Sequence, residues 1–325
     1  MVFADVGDHD DGVRTYEQVI RSGDVLLTDG ANGTRLRFET GLELDPVLDI
    51  AGLASDGRSY ALQAVSGEYV AIAAALGMPI QLDAPSYWIS PERLAAVGRA
   101  GELEVLNRRC VEVAASNRDT FTGAEIFVAG VIGPKADGYA PTEIPSEDEA
   151  AAYHEAQAAA LVSAGVDVLY GETLSTAPES LGIARAMAAT ARPYAIGPVI
   201  DRDGRLPDGT PLEAVIAAID STVKPRPLHF FINCTHPGVA LAGLSAVRER
   251  GGDTSRVNGL KANGSAEPPT SLDQARLVHS DPPTNWALGM VQLHELFGLR
   301  ILGGCCGTDS RHILALALAL RRVDR

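Results

Sequence analysis

The sequence is poor in cysteine, in basic residues and in long apolar runs. Four cysteines in 325 residues are too few for a disulfide framework. Lys and Arg number 27 against 42 Asp and Glu, which gives a net charge of −15. Phosphate recognition requires clustered basic side chains, so we expect no nucleic-acid partner, and acidity also argues against an anionic membrane. The apolar stretch ILALALALRRV near the end is too short to span a bilayer.

The opening stretch, MVFADVGDHDDGVRTYEQVI, lacks the basic flank and the following apolar run of a secretory signal. Reduced thiols are typical of the cytoplasm, where we therefore expect the protein. Aromatic residues make up only 5% of the chain, but 46% of it is hydrophobic, which suffices for a large core.

Short apolar runs alternate with longer amphipathic stretches along the chain. Alternating strands and helices indicate an α/β protein with a parallel sheet, and eight repeats favour a single-domain (β/α)8 TIM barrel. We expect residues 1–23 to form an N-terminal polar helix or arm and residues 24–325 to form the barrel. Apolar residues at a spacing of 3.6 predict helices, for example over residues 146–164, 211–223 and 240–249. The predicted strands are residues 24–28, 79–82, 126–131, 166–170, 194–199, 229–232, 257–261 and 300–302.

Two helix starts carry recognisable capping residues. Ser146 precedes Glu149 by three positions, which predicts a capping box, and Pro91 follows Ser90 at the first turn of another helix. Glycines follow several predicted strands, at the end of the barrel where active sites are built. These glycines are Gly30, Gly33, Gly133, Gly171, Gly303, Gly304 and Gly307.

Three of the four cysteines follow predicted strands and therefore belong to the same end of the barrel. Cys234 lies in HFFINCTHPG, whereas Cys305 and Cys306 lie in RILGGCCGTDSRHI. Adjacent residues of an extended strand point to opposite faces, but the glycines around the pair allow the backbone to turn. Three converging thiolates suit zinc, which prefers sulfur and tetrahedral geometry, and they leave one coordination position open for a substrate.

The three cysteines could instead pack as small buried residues, or Cys305 and Cys306 could form a redox disulfide that needs nothing from Cys234. Packing alone does not require glycines on both sides of a cysteine pair, which favours the metal site. The fourth cysteine, Cys110 in LNRRCVEV, lies in the middle of a predicted helix, where core packing is expected.

Motifs that cover almost the whole chain resemble those of the homocysteine S-methyltransferases. This family is the homocysteine-binding barrel shared by betaine-, S-methylmethionine- and cobalamin-dependent methyl transferases. The two cysteine motifs together are specific, whereas the first motif alone would be weak. The matching segments are TDGANGT (28–34), VAGVIGP (128–134), GET (171–173), DRDGRLPDGTPL (201–212), INC (232–234) and GGCCGTDSRHI (303–313).

The resemblance implies that Cys234, Cys305 and Cys306 are the catalytic residues and the ligands of a zinc ion. It also implies that Glu172 binds the α-ammonium group of the substrate, and that backbone N–H groups of the glycine-rich loop receive a carboxylate. The implied substrate pocket comprises Asp29, Gly30, Ala31, Glu172, Thr173 and Asn233.

The implied activity is zinc-dependent transfer of a methyl group from an activated donor to the thiol of homocysteine, which gives methionine. S-methylmethionine and S-adenosylmethionine are the favoured donors. The expected partners are therefore small molecules, and the lack of the extended C-terminal arm of betaine-type enzymes indicates a monomer or weak homo-oligomer. The alternatives are methyl transfer to another thiol or a selenol, and a zinc-holding or redox-sensing barrel with a Cys305–Cys306 disulfide.

Two segments depart from the family pattern, after the second and the seventh strand. DAPSYW (83–88) stands where the family has a TNT- or TAS-like stretch, and KANGSA (261–266) stands where a YPNSGE-like stretch is common. Both segments would face the pocket and so bear on the identity of the donor and the acceptor. Tyr87 and Trp88 are expected either to contact a cationic donor by cation–π interaction or to pack at the rim.

Overall fold

Eight parallel strands form a closed barrel in sequence order, and the last strand pairs with the first. The computed structural model describes residues 14–135, 137–267 and 277–323. The barrel confirms the predicted (β/α)8 TIM fold. Its strands are β1 (Leu26–Thr28), β2 (Ile80–Ala84), β3 (Ile126–Ile132), β4 (Val168–Leu174), β5 (Tyr194–Pro198), β6 (His229–Asn233), β7 (Val257–Ala262) and β8 (Ile301–Gly304).

Helices connect the strands and cover the outside of the barrel. The capping box predicted at Ser146 is confirmed, because Ser146 and Glu149 each accept a hydrogen bond from the other's backbone N–H. Among the described residues, no helix has the length and apolarity that a membrane crossing requires. The helices are α1 (Tyr16–Ser22), α2 (Gly33–Glu39), α3 (Ser59–Leu76), α4 (Pro91–Ala96), α5 (Leu103–Ala115), α6 (Asn117–Thr120), α7 (Glu147–Ser163), α8 (Ala177–Ala189), α9 (Leu212–Thr222), α10 (Pro237–Glu249), α11 (Pro283–Phe297) and α12 (Ser310–Val323).

All eight predicted strands are present, and the largest difference in bounds concerns β4. The prediction ends this strand at residue 170, but β4 continues to Leu174 because every side chain along it is buried. Glu172 and Thr173 therefore lie on a strand and not on a loop. Thr173 has a φ of 57°, and the pairing with β5 shifts register next to it. This local irregularity ends the regular strand where the barrel mouth begins.

Side chains on the strands alternate between two cores. On β3, Phe127 and Val131 point into the barrel interior, whereas Val128 and Ile132 pack against the surrounding helices. Strands of a parallel sheet that is covered by helices are buried on both faces, which explains their nearly continuous apolar sequences. Only residues at the ends of the strands are therefore free to build a site.

The first helix, α1, closes the amino-terminal end of the barrel. Tyr16 and Val19 are buried among the inward-facing residues of the strands. The ring of Tyr16 lies edge-on to Phe127, with 5.6 Å between the centroids. Its hydroxyl forms a 2.6 Å hydrogen bond with the hydroxyl of Tyr170. The helix is thus amphipathic and not polar on all sides; residues 1–13 of the expected arm lie outside the described residues.

Replacing Tyr16 with alanine should lower the free energy of unfolding by about 3–5 kcal/mol, because it removes a large buried ring from the barrel end. Tyr60→Ala is the matched control, since Tyr60 is 64% exposed and Tyr16 only 3%. The control should change stability by less than about 0.5 kcal/mol. Urea unfolding measures both variants, and equal stabilities would show that α1 contributes nothing to the barrel.

Candidate active site

The three cysteines that follow β6 and β8 meet at the carboxyl end of the barrel. Their sulfur atoms all lie within 4.8 Å of one another. The Sγ atom of Cys234 is 3.0 Å from that of Cys305 and 3.6 Å from that of Cys306. All three are free thiols. The structure thus brings together the two segments that the sequence analysis assigned to one site, although some seventy residues separate them in the chain.

The end of β7 holds both cysteine segments in place. β7 lies between β6 and β8 in the barrel. The N–H of Cys234 donates to the carbonyl of Lys261, and the N–H of Cys305 donates to the carbonyl of Ala262 at 2.7 Å. The side-chain amide of Asn263 donates to the carbonyl of Cys234 at 2.8 Å. These bonds hold Cys234 at a φ of 48°, a conformation that non-glycine residues rarely adopt, and turn its sulfur towards the pair.

The donor set of this cluster fits a soft metal ion. Three thiolates around one tetrahedral ion with bonds of about 2.3 Å would lie about 3.8 Å apart, and the Sγ separations of 3.0 and 3.6 Å measured from Cys234 lie within about 1 Å of this value. The pKa of Cys305 is raised well above its usual value, first by its hydrogen bond to Cys234 and further by burial and the nearby Cys234 charge. Neighbouring thiolates are therefore costly on their own, and a bound cation would remove that cost.

The sulfur cluster lies on the wall of a cavity of about 330 Å³ at the barrel mouth. Cys234 is buried, Cys305 is partly exposed and Cys306 is exposed, so the cluster is open towards the cavity. A larger cavity of about 570 Å³ is lined by residues such as Glu92 and Lys135 but by none of these cysteines. We place the active site in the smaller cavity because it contains the reactive groups.

The glycine-rich loop after β1 forms one wall of the cavity, where Gly30 and Ala31 line it. A Cβ at Gly30 would lie 2.8 Å from the hydroxyl of Tyr69, so only glycine fits there. The N–H of Ala31 already donates to the hydroxyl of Thr308 at 3.2 Å. This N–H is therefore engaged within the chain.

Two other predicted pocket residues, Asp29 and Asn233, lie behind the cavity wall. One Asp29 oxygen accepts hydrogen bonds from the side chain of Asn32 and from the N–H of Asp83. Asn233 accepts a 2.7 Å hydrogen bond from the hydroxyl of Thr173. Both residues are almost completely buried. They support the wall, whereas Glu172 and Thr173 line the cavity directly.

A buried lysine, Lys261, stands among the acidic groups of this pocket. Its Nζ donates to Glu172 Oε1 at 2.7 Å and also bonds to Asp83. Asp29 Oδ1 is 4.0 Å from the same nitrogen. Lys261 and Asp83 were absent from the predicted site, although both stand in the two segments that depart from the family pattern. That shared departure was the available signal in the sequence.

The pKa values of two carboxyl groups in this pocket, those of Glu172 and Asp29, are shifted by their surroundings. Burial raises the pKa of Glu172 to about 7, and the Asp83 charge contributes to the rise while Lys261 opposes both. Burial likewise raises the pKa of Asp29 well above its usual value, again reinforced by Asp83. Glu172 and Asp29 thus bind protons more tightly in the folded chain than in water. The ammonium group of Lys261 offsets part of the negative charge of the three carboxylates.

A tyrosine from the loop after β3 contacts the sulfur cluster. The Tyr139 hydroxyl donates to the sulfur of Cys234 at 2.6 Å. Tyr139 lines the cavity and was not among the predicted residues. No pattern around it in the sequence pointed to the cysteines, because the contact depends on how the loop folds across the barrel mouth.

Tyr87 and Trp88 line the same cavity, where their rings are in edge contact with centroids 4.6 Å apart. The guanidinium of Arg93 lies over the Trp88 ring at 4.0 Å from its centroid. One face of the Trp88 ring is therefore already occupied by a cation of the chain. Cys110 is buried and its thiol donates to the carbonyl of Pro85, which confirms that it packs in the core.

Comparison with known proteins relates this chain to one enzyme family. The family model for homocysteine S-methyltransferase matches residues 26–320. The homocysteine S-methyltransferase of Escherichia coli (strain K12) is 28% identical over 306 residues, which cover 90% of this chain and 94% of the relative. The homocysteine S-methyltransferase YbgG of Bacillus subtilis (strain 168) is 30% identical over 251 residues, covering 71% and 76% of the two chains.

Solved structures share this barrel fold. The crystal structure of the homocysteine methyltransferase MmuM from Escherichia coli in its metallated form superposes with a TM-score of 0.73 at 24% identity, covering 93% of this chain and 98% of that one. The oxidized form of the same protein gives a TM-score of 0.73 at 25% identity with the same coverage. The chain therefore belongs to the homocysteine S-methyltransferase family.

Proposed function

We propose that the protein transfers a methyl group from a sulfonium donor, S-methylmethionine or S-adenosylmethionine, to the thiol of homocysteine, with zinc held by Cys234, Cys305 and Cys306. One observation carries this proposal: three sulfur atoms within 4.8 Å of one another line an open cavity. Sulfur ligands suit zinc, and three of them leave a coordination position for a substrate. A metallated form is known for the Escherichia coli relative.

A zinc ion at this position would keep the acceptor thiol deprotonated at neutral pH, and thiolate is the nucleophilic form. The methyl group passes from the donor sulfur to the acceptor sulfur, the donor leaves as a neutral thioether, and the thiol proton goes to solvent. The work of the chain is to align the two sulfur atoms and to exclude water, which is where most of the rate acceleration arises.

The charge of the cavity suits a sulfonium donor. Asp49 lines the cavity but pairs with Arg37 at 3.4 Å, so the negative charge that would face a donor comes mainly from the thiolates of the cysteine cluster. A positive donor would therefore be favoured next to the cysteine cluster. On the acceptor side, Gly30, Ala31, Glu172 and Thr173 contact the substrate from the cavity wall, while Asp29 and Asn233 act through these neighbours.

The remaining parts of the proposal concern the setting of the enzyme. Its partners are small molecules and not nucleic acid or membrane, and it works in the cytoplasm as a monomer or weak homo-oligomer. Free cysteines and the excess of acidic residues support this assignment. The proposed division of the chain is an N-terminal helix or arm over residues 1–23, whose helix α1 closes the barrel end, and a homocysteine-binding barrel over residues 24–325.

Zinc binding can be tested on the purified chain by elemental analysis and thiol titration. Wild-type protein should bind one zinc per chain and show three thiols that a chelator exposes. Cys306→Ala should weaken zinc binding by more than about 100-fold, beyond the loss caused by removing an outer partner of a ligand. Cys110→Ala, which removes a cysteine of the core, is the matched control and should keep wild-type affinity.

Unchanged zinc affinity in Cys306→Ala would contradict the assigned ligands. A zinc-free protein with a disulfide between Cys305 and Cys306 would instead support a redox-sensing barrel.

The methyl transfer itself is tested with zinc-loaded protein, homocysteine and each donor in turn. Methionine should form with S-methylmethionine, with S-adenosylmethionine or with both, and mass spectrometry measures it directly. Cys306→Ala, loaded under the same conditions, should give at most about 1% of the wild-type rate, because the acceptor thiol is then not activated. Failure of both sulfonium donors to give methionine would refute the proposed reaction.

Removal of the Tyr139 hydroxyl should weaken zinc binding by about tenfold, because its hydrogen bond stabilises the Cys234 thiolate that binds metal. The variant is Tyr139→Phe, and competition with a chromogenic chelator measures the affinity. Tyr153→Phe is a matched control, since the Tyr153 hydroxyl bonds to Ser90 away from the cysteines. Equal affinities for both variants would mean that the Tyr139 contact has no influence on the metal.

A further inference from the structure

Lys261 is an unusual residue for its position. The chain has only three lysines. Lys261 lies on β7, is 2% exposed and lines the cavity that contains the cysteine cluster. Lysine is almost never buried unless its charge is paired. Its partners lie on three other strands or their ends, so that the side chain reaches across the barrel. The ammonium group of Lys261 therefore belongs to the inside of the cavity and not to the protein surface.

The contacts of Lys261 use the carboxylates that an incoming cation would need. Its Nζ donates to Glu172 Oε1 at 2.7 Å and also bonds to Asp83. Glu172 and Asp83 both line the cavity. The third carboxylate, Asp29, accepts hydrogen bonds from the side chain of Asn32 and from the N–H of Asp83. Every carboxylate of this cluster therefore has a partner within the chain.

A substrate ammonium group would have to compete with this internal one. To reach Glu172 Oε1 it must displace a buried nitrogen that is also tied to Asp83. Charge-assisted hydrogen bonds of this kind are among the strongest in proteins, and those of a fixed side chain carry no cost of association. Burial also raises the pKa of Glu172 to about 7, so a proton as well as Lys261 competes with an incoming ammonium group for this carboxylate.

We propose that Lys261 supplies the chain's own ammonium group at Glu172, and that the site therefore accepts thiols without a protonated amine about as well as homocysteine. The class is that of mercapto acids without an α-amino group. This inference rests on the proposed thiol methylation and specifies its acceptor. Lys261 is then a residue that determines specificity: it occupies the amine position that would otherwise distinguish amino acids from other thiols.

The test compares homocysteine with 4-mercaptobutanoate, which is the same thiol acid without the amine. Zinc-loaded wild-type enzyme with a sulfonium donor should show values of kcat/KM for the two acceptors that differ by less than about tenfold. A pocket that binds the amine through an unpaired buried carboxylate would reject the analogue by orders of magnitude. A preference for homocysteine greater than tenfold therefore overturns the inference.

The variant Lys261→Met removes the internal ammonium and frees Glu172. Its preference for homocysteine over 4-mercaptobutanoate should rise at least tenfold, mainly through a lower KM for homocysteine. The double variant Lys261→Met with Asp83→Asn removes both members of the ion pair and should show the same rise. Lys135→Met is the matched control, because Lys135 lies on the exposed rim, and it should keep the wild-type ratio.

Failure of this inference is distinguishable from failure of the proposed reaction. Methylation of homocysteine with a strong preference over the analogue leaves the reaction standing and refutes the role of Lys261. Methylation of neither thiol refutes the reaction. In that case titration calorimetry with the zinc-loaded wild-type chain still tests the inference. The dissociation constants of homocysteine and 4-mercaptobutanoate should then differ by less than tenfold, and a larger difference overturns the inference. If Lys261→Met does not fold, the wild-type ratio alone decides.

Discussion

The chemistry of this barrel depends on hydrogen bonds made by the end of β7. The cysteines come from β6 and β8, which are not neighbours, and β7 separates them. Carbonyl groups of Lys261 and Ala262 receive the N–H groups of Cys234 and Cys305, so one short segment sets the position of both sulfur atoms. The N–H of Gly264, two residues further on, donates to the carbonyl of Cys306. A shift of this segment would move the backbone that positions the thiols.

The same segment of β7 also determines the charge of the cavity. The backbone of Lys261 holds a cysteine, while its side chain pairs with Glu172 on β4 and Asp83 on β2. Burying an ammonium group is costly without partners, and burying three carboxylates is costly without a cation. Each charged group thus lowers the free-energy cost of burying the others. The cysteine cluster and the carboxylates of the pocket are consequently both held by β7. A change at Glu172 or Asp83 would reach Cys234 through Lys261.

The fold could be predicted from the sequence because barrel strands carry a strong signal. Buried parallel strands are apolar along their whole length, and the spacing of helices between them repeats eight times. The ends of strands were less predictable, as β4 shows: Gly171 and Glu172 interrupt its apolar run and look like the start of a loop. Their burial comes from helices and neighbouring strands and so from tertiary contacts. The contacts that bury Tyr16 of α1 likewise depend on the barrel end against which the helix packs.

The candidate site was predictable where backbone position alone decides the contact. Cysteines placed directly after strands must lie at one end of a parallel barrel, and glycines next to Cys305 and Cys306 allow the turn that brings both sulfur atoms to Cys234. Lys261 and Asp83 were not predictable in this way, because a long side chain crosses the barrel to a partner 178 residues away in sequence. Each of the two residues alone looks like a rim charge. Together they form a pair inside the pocket, in which a buried cation on one strand requires an anion on the other.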